Sequence, residues 1–360
     1  MSAMRSSAPT AAPGPGAYPL LLADIGGTNA RFAWVAQAGA PVEQVRTLPV
    51  AAHPGPAAAV RAYLDALREP DGRRGSPPAC AAFAVATPVT GDEVRFTNSA
   101  WTFSIDALRR ELGLARLAVV NDFEALARAL PGLAPAQWQR LGGPLPRSFA
   151  DAPHGSVLAV LGPGTGLGVG AVLRTGCGWQ ALPAEGGHAT LAAADSLQAE
   201  VIAHLRREYA HVSAERVLSG PGLPRLQTAL AAALGRPAPP AMTPAEVVAA
   251  ALRHGDALAG QTLDLFAAFL GGFAGDLALT LGARGGVFVG GGVVPRFAER
   301  VVAAGFRAHF EAKGRFAAYL AEIPTLLVTD TLAALGGARL AAEEDGRLHA
   351  ALAPDIHPAP

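Results

Sequence analysis

The chain has 360 residues, of which 51% are apolar and 16% are charged, and its formal net charge is zero with a pI near 7.1. This length and apolar content predict two folded domains with sizeable cores, while the neutral balance lacks the basic field of a nucleic-acid binder. The two cysteines, Cys80 and Cys177, are too distant in sequence to indicate a disulfide framework or a zinc site. We therefore expect a cytoplasmic protein whose partners include neither nucleic acid nor a membrane.

The first half of the chain alternates short apolar strands with helical stretches. Residues 1–17 are rich in Ala, Pro, Ser and Gly without an apolar signal core, and they are predicted to be a disordered tail. Ser104 is the expected N-cap of one helix. The predicted strands are residues 20–23, 31–35, 81–86 and 117–120, and the predicted helices are 57–67, 105–112 and 123–130.

The second half repeats this pattern. Strands are predicted over residues 157–161, 169–173, 287–289 and 325–328, and helices over 196–209, 243–281 and 332–343. An apolar strand runs into a Gly-Thr turn once in each half, which predicts two similar α/β domains facing each other across a cleft. We expect a smaller domain over residues 18–131 plus 331–349, a larger one over 132–330, and a flexible tail over 350–360.

Both Gly-Thr turns are suited to phosphate binding. Glycines let backbone N–H groups approach phosphate oxygens, and a threonine hydroxyl adds a donor. The alternative for each turn is an ordinary tight hairpin. The residues predicted to bind a nucleotide here are Asp24, Gly26, Gly27, Thr28, Asn29, Gly164, Thr165 and Gly166, with Asp24 also able to hold a metal ion through water.

Two familiar nucleotide motifs are excluded by the same residues. No frame within residues 162–168 fits Gly-x-Gly-x-x-Gly, and the following residues are predicted to form a strand, so a dinucleotide fingerprint is excluded. Lys313 is the only lysine and has no Gly-Lys-Ser/Thr context, which excludes a phosphate-binding lysine of the Walker type.

Polar residues follow other predicted strands and glycines. Asp122, after the buried strand 117–120, is placed either to act as a general base or to cap the next helix. Glu185 and His188 flank a glycine pair, which prevents a helical metal site and suits bonds to vicinal sugar hydroxyls, although a plain surface loop would look the same. Gly290, Gly291 and Gly292 follow a strand and can lie against a base or ribose, or form a simple turn.

These motifs, in this order, resemble the bacterial glucokinase family, within the hexokinase, actin and Hsp70 fold group. Matching runs lie at residues 24–31, 97–98, 120–123, 164–168, 182–188, 211–222, 290–296, 306–308 and 313–316. Ala184 stands where the family is expected to have glycine. Unlike the related ROK family, the chain has no cysteine-rich zinc motif after Glu-Gly-Gly-His.

The resemblance implies a two-domain, actin-like ATPase (ribonuclease H-like) α/β fold with an interdomain cleft. It implies a homodimeric enzyme that uses ATP and Mg²⁺ to phosphorylate the 6-hydroxyl of glucose and feeds glycolysis, with Asp122 as the base. The residues implied to contact glucose are Asn121, Asp122, Glu185, His188 and Glu215.

Three other functions stay open at this point. They are a kinase for another hexose such as mannose or glucosamine, a non-catalytic glucose sensor, and a chaperone ATPase related to Hsp70. The sensor would not need Asp122 or both phosphate turns, and the chaperone would need a peptide-binding region, of which the sequence gives no sign.

Overall fold

The computed structural model describes residues 18–67, 77–96 and 99–352, with residues 346–352 described by their backbone alone. The strands are β1 Leu20–Ile25, β2 Asn29–Val35, β3 Glu43–Pro49, β4 Cys80–Val85, β5 Glu93–Arg95, β6 Thr102–Ser104, β7 Arg116–Asn121, β8 Trp138–Gly142, β9 Val157–Pro163, β10 Leu167–Thr175, β11 Gly178–Ala184, β12 Gly286–Val289 and β13 Thr325–Val328. The α-helices are α1 Pro56–Ala66, α2 Ile105–Glu111, α3 Asp122–Ala129, α4 Ser196–Leu205, α5 Ala214–Val217, α6 Gly222–Ala233, α7 Pro244–Arg253, α8 Ala257–Leu281, α9 Ala298–Ala303, α10 Phe306–Glu311, α11 Ala317–Ala321 and α12 Ala333–Leu352.

The chain divides into two compact units, and the first comprises Met1–Asn121 and Leu335–Pro360. Its sheet has the strand order β3-β2-β1-β4-β7, in which β1, β2 and β3 are antiparallel neighbours while β4 and β7 run parallel to β1. Ile25, Val85 and Asn121 are partners across β1, β4 and β7, so these three strands end at one edge of the sheet.

The second unit, Asp122–Ala334, repeats this strand order. Its sheet runs β11-β10-β9-β12-β13-β8, with β9, β10 and β11 antiparallel and β12 and β13 parallel to β9. Strand β8 is added antiparallel at the far edge. Both sheets therefore consist of an antiparallel hairpin meander followed by two parallel strands, which is the internal repetition that the sequence predicted.

Each unit has its own apolar core. In the first, Phe32 stacks on Tyr63, whose hydroxyl donates to the Gln44 carbonyl oxygen at 3.0 Å. In the second, α8 packs against α10, and Gly271 and Gly275 make this approach possible because a Cβ at either position would overlap carbonyl oxygens of α10. By length and composition α8 could cross a membrane, but 72% of its apolar window is buried within the protein, as in the core helix of a soluble domain.

The observed structure includes elements that were not predicted, namely strands β3, β5, β6, β8 and β11 and helices α5, α6, α9, α10 and α11. The helix predicted over residues 243–281 is wrong as a single element, because Gly255 adopts a φ of +64° and Asp256 begins a new helix by accepting the Ala259 N–H at 2.8 Å. Helix α12 extends to Leu352, so the first three residues of the expected C-terminal tail are helical. The predicted tail at residues 1–17 and the matching run at 97–98 lie outside the described residues.

The domain bounds predicted from the sequence differ from the observed division at both crossings, since the chain leaves the first unit after Asn121 and returns to it at Leu335, where residues 131 and 331 were predicted. The predicted boundary at residue 131 would have put α3 in the first domain, whereas its contacts place it in the second unit. The predicted N-cap of α2 is confirmed, since Ser104 Oγ accepts the Ala107 N–H at 3.0 Å.

Candidate active site

The first glycine turn, residues 26–28, joins β1 to β2 at the edge where the parallel strands end. The Gly26 N–H donates to the Asn29 carbonyl oxygen at 2.9 Å, and the Thr28 carbonyl oxygen accepts the Val50 N–H at 2.8 Å. The side chains of Thr28 and Asn29 are exposed. The turn is thus anchored by its own backbone and presents a hydroxyl and an amide to solvent.

Asp24 precedes this turn in β1. Its carboxylate lies 3.7 Å from the Arg31 guanidinium, and 27% of the side chain is exposed. Burial raises the pKa of Asp24 above its ordinary value, while the charge of Arg31 acts in the opposite direction. A single carboxylate beside a phosphate turn fits Mg²⁺, which usually keeps several waters and takes one or two carboxylates together with substrate phosphates.

Asn121 ends β7 at the same edge of the first unit. Its side-chain amide donates to the carbonyl oxygens of Thr87 at 3.3 Å and of Val85 at 3.5 Å, both at the end of β4. The Thr87 hydroxyl in turn donates to the Arg95 carbonyl oxygen at 2.7 Å. These bonds fix the orientation of the Asn121 amide and aim its donors along the ends of the strands.

The second glycine turn, residues 164–166, joins β9 to β10 in the second unit. It closes on itself through the Gly164 N–H, which donates to the Gly166 carbonyl oxygen at 2.8 Å. Two other loops hold it, since the Gly220 N–H donates to the Gly164 carbonyl oxygen at 2.8 Å and the Val293 N–H donates to the Pro163 carbonyl oxygen at 3.1 Å. Thr165, at its tip, is exposed.

The glycine run after β12 lies against this turn. The Gly290 N–H donates to the Leu161 carbonyl oxygen at 2.8 Å. Gly291 has a φ of +77°, and a Cβ there would overlap the Pro163 carbonyl oxygen, so both backbone conformation and space require glycine. Gly291 and Gly292 are exposed. The backbone of this glycine run is therefore accessible beside the second turn.

Glu185, His188 and Glu215 come together beside the same turn. The Glu215 Oε2 accepts the Leu167 N–H at 2.9 Å, directly after residue 166. His188 Nδ1 lies 4.0 Å from Glu215 Oε1, and His188 Nε2 lies 3.9 Å from Glu185 Oε2. The side chains of Glu185, His188 and Glu215 are 52%, 61% and 34% exposed. Two carboxylates and an imidazole are thus open to a small polar ligand.

Backbone pairing between two loops brings these residues together. The Leu191 N–H donates to the Val212 carbonyl oxygen at 3.0 Å, and the Ala214 N–H donates to the Ala189 carbonyl oxygen at 2.9 Å. Glu215 follows immediately in α5. A Cβ at Gly166 would overlap the Glu215 carboxylate, so glycine is required here to leave room for that carboxylate.

The surroundings of the Glu185 carboxyl shift its pKa. Burial raises its pKa above the ordinary value, the nearby Glu215 charge raises it further, and His188 lowers it. A carboxylate whose negative charge is poorly solvated gains most from a hydrogen-bond donor supplied by a ligand.

Asp122 is the first residue of α3. Its Oδ1 accepts the N–H of the next residue, Phe123, at 2.9 Å, whereas a capping side chain accepts an N–H two or three residues further on. The ring of Phe123 lies against the backbone of Gly162 and Gly168, close to the second turn. The bond to the adjacent Phe123 therefore does not decide between the cap and the general base.

Among the described residues, no group of three or more His, Cys, Asp and Glu side chains is arranged to hold a metal ion. Lys313, the only lysine, pairs with Asp276 of α8 at 2.5 Å. A positive charge for a bound phosphate would therefore come from an added cation or from arginine.

A family model described as Glucokinase matches residues 21–345. The chain belongs to the glucokinase family. A glucokinase from Aromatoleum aromaticum is 47% identical over 324 residues, which cover 90% of this chain and 94% of that relative. A "Bifunctional protein glk" from Burkholderia pseudomallei is 48% identical over 327 residues, covering 91% of this chain and 49% of the relative, so the chain spans about half the length of the first curated relatives it matches.

The fold is likewise that of a solved member of the glucokinase family. A glucokinase from an Antarctic psychrotroph is 37% identical, with a TM-score of 0.78 over 91% of this chain and 99% of that one. Together with the repeated strand order, this likeness identifies the actin-like ATPase (ribonuclease H-like) fold.

The residues that the family resemblance marks fall into two sets. The first unit holds Asp24, the first turn and Asn121, and the second unit holds Asp122 together with the second turn, the run at residues 290–292 and the Glu185, His188 and Glu215 cluster. Their roles in binding stay predictions. Three supporting groups were not predicted from the sequence, namely the Phe123 ring, the Leu167 N–H and the Gly220 N–H. Their nearest signals were the Asn-Asp-Phe run and the glycines at 166 and 220.

Proposed function

We propose that this protein is an ATP-dependent glucokinase, which transfers the γ-phosphoryl group of ATP to the 6-hydroxyl of D-glucose. The observation that carries the proposal is the bond between Glu215 and the Leu167 N–H, because it joins a sugar-binding carboxylate to a phosphate-binding turn. The family membership over residues 21–345 supports the same activity.

Sugar recognition follows from the chemistry of the cluster. A carboxylate accepts two hydrogen bonds from vicinal hydroxyls, and an imidazole can accept or donate one more. Glu185, His188 and Glu215 therefore suit a ring with adjacent hydroxyls, and Asn121, whose amide donates to backbone carbonyls, adds its side-chain oxygen as an acceptor. Specificity arises because a sugar lacking one of these hydroxyls leaves a carboxylate oxygen unpaired.

Phosphoryl transfer depends on positioning and charge neutralisation more than on covalent chemistry. The two glycine turns donate backbone N–H groups and the Thr28 and Thr165 hydroxyls to the phosphates of ATP, and the run at residues 290–292 lies against the nucleoside. Asp122 accepts the proton of the 6-hydroxyl as the sugar's 6-oxygen bonds to the γ-phosphorus of ATP, while the bond from that phosphorus to the oxygen of the departing ADP breaks. Asp24 would hold Mg²⁺ through water, and the ion would supply positive charge near the transferred phosphoryl group.

The Asp122→Asn variant tests this mechanism. Loss of a general base lowers kcat by roughly 10²- to 10⁴-fold, whereas KM for glucose changes far less because Asn keeps one acceptor. A coupled assay of glucose 6-phosphate formation measures both constants. If Asp122 only caps α3, Asn serves equally well and kcat stays within a few-fold of the wild-type value.

Asp256→Asn is the matched control, because Asp256 is an exposed N-cap that accepts the Ala259 N–H at the start of α8. Its kcat is expected to equal that of the wild type. A fall in kcat in both variants would indicate a general loss of folded protein and not the loss of a base.

Three further parts of the proposal have direct tests. Chelation of Mg²⁺ is expected to abolish turnover and its return to restore it. A panel of glucose, mannose and glucosamine with ATP, ADP and polyphosphate defines the substrates. Light scattering tests the proposed homodimer, and cell fractionation tests the cytoplasmic location.

A further inference from the structure

The helix that carries Asp122 is seated on a pair of glycines in the phosphate-binding hairpin. Gly162 of β9 and Gly168 of β10 are direct cross-strand partners, two residues on either side of the second glycine turn. Neither has a positive φ, so backbone conformation does not require glycine at these positions. Space requires it, because a Cβ on either residue would overlap the ring of Phe123.

The backbone of Phe123 approaches the hairpin as closely as its ring does. A Cβ at Gly170, the next inward-facing position of β10, would lie 2.6 Å from the Phe123 carbonyl oxygen. The ring also reaches Gly290, where a Cβ would lie 4.0 Å from Phe123 Cε1. Strands β9 and β10 and the glycine run after β12 thus all approach Phe123.

Asp122 is the residue before Phe123, and its carboxylate accepts the Phe123 N–H. The position of this carboxylate is therefore set by how the neighbouring ring sits on the hairpin. The same hairpin carries the turn at residues 164–166 and the Leu167 N–H that holds Glu215. One rigid strand pair consequently supports the base, a phosphate turn and a sugar-binding carboxylate.

We infer that Phe123 is a positioning residue for phosphoryl transfer, whose ring on the Gly162 and Gly168 pair holds the Asp122 carboxylate in register with the second glycine turn. This inference rests on the proposed glucokinase activity. It predicts that a smaller side chain at residue 123 slows the chemical step but leaves the affinity for both substrates unchanged, because neither ligand needs to contact Phe123. A misplacement of about 1 Å at a catalytic group can cost roughly 10²-fold in rate.

The experiment compares Phe123→Leu with the wild type and with Phe149→Leu, a control that removes the same atoms from the same apolar cluster, where Phe149 packs against Phe288. We expect kcat of Phe123→Leu to fall about 10- to 100-fold. The dissociation constants of glucose and of AMPPNP, measured by calorimetry, should change less than about threefold by the same reasoning. Phe149→Leu should keep the wild-type kcat. Phe123→Met replaces Phe123→Leu if the latter does not fold.

A double-mutant cycle with Gly168→Ala tests the contact itself. In the wild type the new methyl overlaps Cγ, Cδ2 and Cε2 of the Phe123 ring and lowers kcat, whereas in a Phe123→Ala background, which lacks all three atoms, it should have a much smaller effect. Additive losses in kcat would overturn the inference, as would a Phe123→Leu kcat within threefold of wild type. A wild-type protein that phosphorylates no sugar would overturn the proposed function first, and this inference with it.

Discussion

Replacing Glu215 by Gln separates the two interactions of this carboxylate. Its Oε2 accepts the Leu167 N–H at 2.9 Å, and its Oε1 lies 4.0 Å from His188 Nδ1, towards the proposed sugar. A glutamine oxygen can keep the bond to Leu167, but its NH₂ group then replaces the second acceptor. We therefore expect a folded protein in which the sugar loses an acceptor.

The magnitude follows from the charge of that acceptor. A hydrogen bond to a charged group contributes about 1.5–3 kcal/mol, and about 1.4 kcal/mol corresponds to a factor of ten. KM for glucose in Glu215→Gln should therefore rise roughly 10- to 100-fold, with KM for ATP nearly unchanged. The coupled assay with varied glucose measures this, and Glu200→Gln, an exposed carboxylate on α4, is the control.

Glu215→Ala adds a different loss, because the Leu167 N–H is then left without its acceptor in a residue that is 5% exposed. An unsatisfied buried donor costs about 1–3 kcal/mol, which lowers Tm by roughly 2–12 °C for a unit of this size. If KM for glucose in Glu215→Gln equals that of the wild type, Glu215 does not bind the sugar and the reasoning fails.

Two further predictions come from the same unit. Because its pKa is raised, the Glu185 carboxyl keeps its proton to a higher pH than an ordinary glutamate, whose pKa is 4.5. KM for glucose should therefore rise as pH falls through that raised pKa. In Glu215→Gln, which lacks the neighbouring negative charge, the inflection in a pH series should move to lower pH. The raised pKa also means that the stability contributed by Glu185 is present below pH 4.5 and is lost as pH rises through its folded pKa. Arg307 donates to Glu311, to the Thr325 hydroxyl and to three backbone carbonyls, so Arg307→Lys should lower Tm by about 5–15 °C in a melting curve with KM for glucose intact. An unchanged Tm would show that lysine can replace the guanidinium, and the exposed Arg253→Lys is the control.

Among the described residues, eight of the thirteen strands could be predicted because their signals are local. Residues 325–328 form β13 as predicted, and α3 and β7 differ from their predicted bounds by one residue at each end. The break between α7 and α8 was missed because the apolar pattern on both sides hid the Gly255 and Asp256 pair. Strand β11 was missed because only Ala181 of its seven residues is buried, so it shows no alternation of apolar and polar residues.

The residue types of the candidate site could be predicted from the sequence, but their arrangement in space could not. The Gly-Thr turns and the Glu-Gly-Gly-His run identify the chemistry. The position of Glu215 depends on pairing between residues 189–191 and 212–214, which are separated by a helix, and no local pattern encodes it. Likewise, the reason for glycine at 162 and 168 lies in Phe123, some 40 residues earlier in the chain.

The single lysine has a practical consequence for work on this protein. Apart from the amino terminus, an amine-selective reagent has one possible target, and that target, with 18% of its side chain exposed, is engaged with Asp276. A fluorophore or cross-linker can therefore be attached at one known position without removing competing lysines. Its rate of attachment would measure how often the Lys313 ammonium leaves the Asp276 carboxylate.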